Sequence, residues 1–228
     1  AADAASGPSA MASMSAPVNA PAGAFTGALM LAIALGPLAA SAAGTLPSRF
    51  DVTGVRGGDA LNVRAEPTTA APVVATLAAD ARGVEVVALD PSGRWARVNA
   101  GEGSGWVALR YLREEPDVWQ AGTLPARLRC FGTEPFWSLV PEGATARIDR
   151  PEGSMSFALA ALDLDIPADP RRALLLRSEA ATATATITPE ACSDGMSDRL
   201  FGLAVLVVTE GTDAPRLLSG CCSIAAGD

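Results

Sequence analysis

Residues 130–137 bring together the side chains of this chain that are best suited to chemistry or to binding. They supply a cysteine, an acid and three aromatic rings, in the order Cys130-Phe131-Gly132-Thr133-Glu134-Pro135-Phe136-Trp137. A carboxyl group buried among aromatic rings acquires a raised pKa, because desolvation disfavours its charged form. Glu134, Trp137 and the downstream Arg199 are therefore candidate ligand-binding residues. The alternative is that Glu134 only caps a turn or pairs with Arg199.

The composition removes most of the side chains that catalyse reactions in proteins. The chain has no histidine, and all 17 of its cationic side chains are arginine. The bases of Ser-His-Asp and Cys-His sites, the imidazole ligands of zinc and the lysine of a Schiff base are therefore absent. A carboxylate-dependent cell-wall hydrolase that uses Glu134 with Asp194 or Asp198 stays open. Residues 194–198 lack the full spacing of a calcium loop, so we predict no metal site. Because the usual catalytic side chains are absent, we also predict that the protein is not an enzyme and holds no cofactor.

The net charge of −8 is unevenly distributed along the chain. Residues 44–112 carry seven arginines and seven acids, whereas residues 113–228 carry ten arginines and seventeen acids. Binding to nucleic acid needs a cationic face. The acidic second half therefore argues against a nucleic-acid partner.

The first 43 residues have the composition of a leader that is removed during export. Residues 1–23 consist mainly of alanine, serine, proline and glycine, which is typical of disorder. The apolar run at 25–35 and the small residues at 40–42 predict a signal peptide that is cleaved before Ala43. No basic residue precedes the run, so an uncleaved membrane anchor and an alanine-rich tail stay open. Export places the protein in the periplasm or outside the cell, and an uncleaved leader is the only membrane contact that we predict.

Residues 44–112 have the pattern of a small antiparallel β domain. Short apolar runs alternate with polar residues, and turn residues interrupt them about every ten positions. Residues 108–112 predict a short helical turn at the end of the domain. We expect strands at the runs 61–64, 73–77, 83–89, 94–98 and 105–107.

The residues at 52–112 resemble the bacterial SH3 (SH3b) domains in order and spacing. The resemblance rests on Leu-Asn-Val-Arg-Ala-Glu-Pro at 61–67, Val-Val-Ala-Thr-Leu at 73–77, Gly-Arg-Trp-Ala-Arg-Val at 93–98 and Gly-Trp-Val-Ala-Leu-Arg-Tyr-Leu at 105–112. It implies a barrel of five to six strands that acts as a targeting or binding module and that, in some members, binds cell-wall peptide. Trp95, Trp106 and Tyr111 are the aromatic candidates for a ligand face. The alternative is that these rings belong to the core.

The charged, proline-containing residues 113–126 are typical of a linker, and residues 127–228 of a second β domain. The threonines at 182, 184, 186 and 188 share one face of a strand and the intervening alanines share the other. Roughly eight strands permit a closed barrel, which leaves no free edge. We therefore predict an all-β chain in which an SH3-like small barrel is followed by a second antiparallel β-barrel.

All four cysteines lie in this second domain, at Cys130, Cys192, Cys221 and Cys222. An even number in an exported chain predicts two disulfides, for which three pairings exist. Adjacent residues of a strand point to opposite faces, so Cys221 and Cys222 can have different partners. The first and last strands of a closed barrel are neighbours, which predicts one disulfide between Cys130 and a member of this pair and one between Cys192 and the other member. A bond between Cys221 and Cys222 is the alternative.

Three motifs follow one another in the second domain. They are Cys-Phe-Gly-Thr-Glu-Pro-Phe-Trp at 130–137, Cys-Ser-Asp-Gly-Met-Ser-Asp-Arg at 192–199 and Gly-Cys-Cys at 220–222. In this order they resemble a family of uncharacterised exported bacterial proteins and lipoproteins. The resemblance implies a small β-barrel and no established activity.

These observations favour an exported, non-catalytic envelope protein. In this hypothesis the SH3b module binds cell-wall peptidoglycan or an envelope protein, and the second barrel has a ligand that the sequence does not name. The first alternative is a hydrolase inhibitor or a small-ligand carrier that the SH3b module tethers. The second is the carboxylate-dependent hydrolase described above.

Overall fold

The computed structural model describes residues 45–166, 168–211 and 214–225. The predicted leader at 1–43 lies outside these residues. The described chain is all-β, as predicted, and consists of two antiparallel sheets with one short 3-10 helix. Over this part of the chain, no helix has the length and apolar character needed to cross a membrane.

The first sheet is SH3-like and contains seven strands. They are β1 (Ser48–Val52), β2 (Ala60–Arg64), β3 (Val73–Ala78), β4 (Val84–Leu89), β5 (Trp95–Ala100), β6 (Gly103–Ala108) and β7 (Leu112–Glu114), with the 3-10 helix Leu109–Tyr111 before β7. Their order in the sheet is β3-β2-β6-β5-β4-β1-β7. The five predicted strands and the short helical turn are therefore present, within a few residues of the expected bounds.

The sequence does not predict β1 and β7. Both are short, and β1 forms its hydrogen bonds with β4 and β7, which lie far along the chain. Phe50 and Val52 enter the core, but Asp51 between them is buried as well, so β1 does not show the alternation of a half-exposed strand. The strand is therefore defined by its partners more than by its own pattern.

The second sheet is a closed barrel of eight strands, as predicted. They are β8 (Arg129–Thr133), β9 (Phe136–Glu142), β10 (Thr145–Arg150), β11 (Gly153–Asp163), β12 (Arg172–Arg177), β13 (Thr182–Cys192), β14 (Phe201–Glu210) and β15 (Arg216–Ser223). Each strand pairs with the next, and β15 pairs with β8 to close the barrel. This up-and-down topology leaves no free edge.

The barrel interior is filled by side chains. In β13 the threonines at 182, 184 and 186 are exposed while Ala183, Ala185 and Ile187 are buried, which confirms the predicted alternation. Leucine, isoleucine and valine from the other strands fill the remaining interior, since small inward residues leave room for large ones opposite. In the barrel, the largest of the fully buried side chains are Leu139, Leu174, Leu176, Ile187, Leu203, Ile224, Val205 and Val207.

Residues 113–126, which we predicted to be a linker, contribute to the barrel core. Val118 and Trp119 are buried and belong to the same apolar cluster as the barrel interior. The indole Nε1 of Trp119 donates a hydrogen bond of 2.7 Å to the carbonyl of Pro47. This segment therefore packs against the barrel and also contacts the chain just before β1.

Two disulfides tie the barrel together. Cys130 bonds Cys222 and Cys192 bonds Cys221, and the described residues include no free cysteine. Cys130 and Cys222 face each other across the pair β8–β15 that closes the barrel. The two neighbouring cysteines thus serve opposite faces of β15, as the period of a strand requires. Cys130 and Cys222 are fully buried in the core, whereas Cys192 is only half-buried.

Hydrogen bonds join the SH3-like sheet to the barrel. The carboxylate of Glu85, on β4, accepts hydrogen bonds from the Ser223 hydroxyl at 2.6 Å and from the Ile224 N–H at 3.3 Å. The Asn99 amide, on β5, donates to the Leu200 carbonyl and accepts from the Leu200 N–H, each at 2.9 Å. The two sheets therefore meet through specific polar contacts.

Glu85 makes this contact dependent on pH. Burial raises the pKa of its carboxyl from an ordinary 4.5 to about 6, although the hydrogen bond from Ser223 acts in the other direction. The folded protein therefore binds the proton more tightly than the unfolded chain. Its contribution to stability is complete below pH 4.5 and is lost as the pH rises through 6.

Because each pKa unit is worth about 1.4 kcal/mol, we expect Glu85 to lower the free energy of unfolding by about 2 kcal/mol in total as the pH rises, of which about 1.5 kcal/mol falls between pH 4.5 and pH 6.5. Urea unfolding at several pH values measures this fall. Glu85→Gln keeps a hydrogen-bond acceptor but does not titrate, so its profile should lack the fall. Parallel profiles of the two proteins would show that Glu85 does not titrate in this range.

Candidate functional site

A groove of about 440 Å³ on the SH3-like sheet brings together two of the three predicted aromatic residues. Trp95, at the start of β5, is buried and forms part of its wall, and half-buried Tyr111 forms another part. A depression of about 510 Å³ adjoins the groove and shares Trp95 with it. The two rings therefore supply an apolar surface next to open space.

Arginines and an acid surround this surface, which we call the SH3 groove. Arg56, Arg64, Arg110 and Asp59 line it. The guanidinium of Arg110 lies 4.8 Å from the centroid of the Tyr111 ring and donates a hydrogen bond to its hydroxyl at 3.2 Å. An exposed guanidinium stacked on an aromatic ring is held in place while its other donors stay available. The SH3 groove can therefore bind a carboxylate and an apolar group side by side.

Trp106 lies apart from the SH3 groove. Its ring packs under the guanidinium of Arg97 at 5.4 Å, and Arg97 also donates to the hydroxyl of Ser104. Ser104 in turn donates to the carbonyl of Asp198, in the second barrel. Trp106 is thus placed near the contact between the two sheets.

A second groove, of about 1000 Å³, lies on the outer wall of the barrel. All three motifs of the second domain meet there. The first motif supplies residues 131–136 apart from Pro135, the second supplies residues 192–196, and the third supplies Gly220 and Cys221. We call this site the wall groove.

Gly132 and Gly220 of these motifs leave the space that the Trp137 ring occupies. A Cβ on Gly132 would lie 2.2 Å from Nε1 of Trp137, and one on Gly220 would lie 2.0 Å from the carbonyl oxygen of Phe131 and 3.0 Å from the Trp137 ring. Both distances are far below a normal van der Waals contact. The glycines therefore let the Trp137 indole pack flat against β8 and β15, where Nε1 donates to the Ser219 carbonyl at 3.3 Å.

The structure separates the three predicted ligand-binding residues of the second domain. Glu134 is exposed at the edge of the wall groove, whereas Trp137 is buried inside the barrel. The guanidinium of Arg199 lies 5.7 Å from the centroid of the Phe201 ring. Among the described residues, no ion pair joins Glu134 to Arg199.

The loop after Cys192 is organised by Asp194. Its carboxylate accepts hydrogen bonds from the N–H groups of Met196 and Ser197 and from the Ser197 hydroxyl. Burial raises the pKa of Asp194, but these hydrogen bonds outweigh it and hold the pKa below its ordinary value. Asp194 is therefore a structural anion that fixes the loop. In the described chain, no group of three or more acidic or cysteine side chains is arranged to hold a metal.

Sequence reasoning missed Arg110, Phe136, Met196 and Asn99. Arg110 is next to Tyr111 in the motif at 105–112, and this adjacency could have drawn attention to it. Phe136 and Met196 are large apolar residues that the fold leaves exposed, and an apolar residue gives no sign of exposure in a sequence. Asn99 has its partner 101 positions away, which no local pattern reveals.

Comparison with known proteins identifies one part of the chain. The family model of the bacterial SH3 domain matches residues 59–113. No curated protein and no solved structure matches the chain. The resemblance of the second domain to exported bacterial proteins stays a prediction. The matched residues contain β2 to β6 and most of β7, together with Trp95, Arg110 and Tyr111, so the match to the bacterial SH3 domain covers most of the residues that line the SH3 groove.

Proposed function

We propose that this protein is an extracytoplasmic, non-catalytic envelope protein whose SH3 groove binds the peptide part of peptidoglycan. The observation that carries the proposal is the convergence of Trp95, Tyr111 and Arg110 on one open groove of a bacterial SH3 domain. Cell-wall peptides combine free carboxylates with short apolar side chains. Arginine donors beside aromatic rings match both features.

The two disulfides support a location outside the cytoplasm. Disulfides persist in oxidising compartments and are rare where thiols are kept reduced. Cys130–Cys222 and Cys192–Cys221 use all four cysteines of the chain. The proposal therefore places the protein in the periplasm or outside the cell.

The packing of the barrel argues against a small-ligand carrier, and the hydrogen bonds of Asp194 argue against a hydrolase that uses it as the acid. A small-ligand carrier needs interior space. Apolar side chains fill the middle of this barrel, and the pocket of about 300 Å³ that reaches Ile148 and Phe157 lies at one end, among the turns. A hydrolase that used Glu134 with Asp194 would need a carboxyl group that can protonate near neutral pH. The carboxylate of Asp194 accepts three hydrogen bonds within its own loop, so Asp194 does not suit the role of that proton donor.

Co-sedimentation of the whole chain with purified peptidoglycan tests the proposed function. We expect the wild type to pellet with peptidoglycan and Arg110→Ala to weaken this binding by about tenfold, because a charge-assisted hydrogen bond is worth about 1.5–3 kcal/mol. Arg177→Ala removes an exposed arginine on β12 and is the matched control. It should bind like the wild type.

Either of two results would overturn the proposal. If the wild type stays in the supernatant, or if Arg110→Ala and Arg177→Ala pellet alike, the SH3 groove is not a peptidoglycan site. Thermal unfolding of each variant shows whether a change in binding reflects a change in folding.

A further inference from the structure

We infer that the wall groove binds an extended segment of a partner protein that carries both apolar and cationic side chains. This site is separate from the SH3 groove, and the proposed binding to peptidoglycan does not use it.

A stripe of large apolar residues runs along the outer wall of the barrel. Met196 is 69% exposed, Phe136 57% and Leu206 50%, and all three line the wall groove. The stripe continues on the same face of β14 and β15 with Val208 and Leu217, which are paired across these strands. The barrel buries the opposite faces of both strands in its own core, so these outward side chains have no core to enter. A contiguous exposed apolar surface marks an interaction site.

Hydrogen bonds hold the two rims of the wall groove in place. One rim is the turn between β8 and β9, and the other is the loop 193–200. The Thr133 hydroxyl donates to the Asp194 carbonyl at 2.8 Å, which links the first rim to the second. The far end of the loop is fixed to the SH3 domain by the paired bonds of Asn99 with Leu200. Met196 is therefore held out into solvent by a fixed frame, and a preorganised surface loses little entropy on binding.

The shape of the wall groove fits an extended chain. Its floor is the outer face of neighbouring strands, where Thr186, Ala204, Ser219 and Gly220 present little bulk between the rims. A closed barrel offers no strand edge for backbone pairing, so side chains must provide the recognition. An extended segment places alternate side chains on opposite sides, with apolar residues towards the floor.

Charge determines the kind of partner. Glu134, Glu190 and Asp194 line the wall groove, and none of the described residues that line it is an arginine. The surrounding residues 113–228 carry a net charge of −7. Like charge disfavours a second copy of this chain, an anionic membrane and a nucleic acid. A segment that alternates apolar and cationic residues complements both the stripe and the acids.

The test uses the whole chain and a short fluorescent peptide in which leucine and arginine alternate. Two further peptides replace arginine by glutamate or leucine by serine. We expect saturable binding of the leucine–arginine peptide that weakens as salt is added, and at least about tenfold weaker binding of the other two. Equal binding of the leucine–glutamate peptide would overturn the inference.

Matched variants locate the site. Leu206→Ser should weaken peptide binding by about tenfold, as expected for a central apolar contact, whereas Leu162→Ser, at a strand position with 51% exposure outside the wall groove, should not change it. Glu134→Gln should weaken binding and reduce its dependence on salt, and Glu179→Gln, an exposed acid elsewhere on the barrel, should do neither.

Other occupants would give other results. The inference would be overturned if the peptide does not bind and the wild type instead dimerises or binds anionic lipid vesicles, provided that Leu206→Ser abolishes this dimerisation or vesicle binding. Leu206→Ser should still pellet with peptidoglycan, and Arg110→Ala should still bind the peptide. A failure at one groove is thus distinguishable from a failure at the other.

Discussion

Removal of the Cys130–Cys222 disulfide is expected to lower the free energy of unfolding by about 4–5 kcal/mol, more than any other change to the cysteines. The two residues are 92 positions apart. A cross-link over so long a loop removes much of the conformational entropy of the unfolded chain. The bond also joins the first and last strands of the barrel, so its loss weakens the contact on which closure depends. Urea unfolding of the double variant C130A/C222A measures the effect.

The second disulfide is the internal control for this prediction. Cys192 and Cys221 are 29 positions apart, so C192A/C221A should lose about 3–4 kcal/mol by the same reasoning. The order of reduction should follow exposure, because thiol–disulfide exchange requires access to the sulfur. A low concentration of dithiothreitol should therefore reduce Cys192–Cys221 first. Equal losses from the two double variants, or earlier reduction of Cys130–Cys222, would contradict the argument.

The two-residue period of side-chain direction in a strand allowed part of the disulfide pairing to be predicted. Cys221 and Cys222 are adjacent, so a strand must direct them to opposite faces. Closure of the barrel then places one of them beside Cys130. Which of the two faces the interior depends on the register of β15, and the sequence of this strand does not determine it. The structure resolves this point by placing Leu218, Gly220 and Cys222 on the inner face.

The aromatic candidates show where sequence reasoning ends. Trp95 and Trp106 both occur in short strands of the same motif region, Trp95 after Arg94 and Trp106 between Gly105 and Val107, and neither neighbourhood shows which ring lines a site. The 3-10 helix brings Tyr111 to Trp95, while pairing of β5 with β6 puts Trp106 beside Arg97. Membership in a site thus depends on the tertiary arrangement of the rings, which their local sequences do not reveal.

The charged segment before β8 shows the opposite case, in which polar composition hides a structural element. Proline and acids at 113–126 are typical of an exposed linker, yet Val118 and Trp119 are buried there. The residue that holds them is Arg172, at the start of β12. Its guanidinium lies 5.3 Å from the centroid of the Trp119 ring. It donates to the carbonyls of Gln120 and Thr123 at 3.1 Å each, and also to those of Asp169 and Arg171.

Arg172 is only 4% exposed, which makes this the most deeply buried cation of the described chain. Burial lowers the pKa of Arg172, and the nearby charges of Asp163 and Asp169 act in the other direction. Asp163 also accepts the Gly122 N–H at 2.9 Å, so both residues hold the same segment. Since a guanidinium is planar and has several donors, it can serve four carbonyls and stack on an indole at once.

We therefore expect Arg172→Ala to lower the free energy of unfolding by about 3–4 kcal/mol, because it leaves four partly buried carbonyls without this donor and the Trp119 ring without its cation. Trp119 should become accessible to acrylamide in the same variant, which fluorescence quenching measures. Arg172→Lys keeps the charge but cannot reproduce the planar set of donors, so it should restore less than half of the loss. Arg177→Ala, on the same strand but exposed, should cost less than about 0.5 kcal/mol. If Arg172→Ala resembles Arg177→Ala in stability and in quenching, then residues 113–126 do not depend on Arg172, and the segment behaves as the linker that its composition suggests.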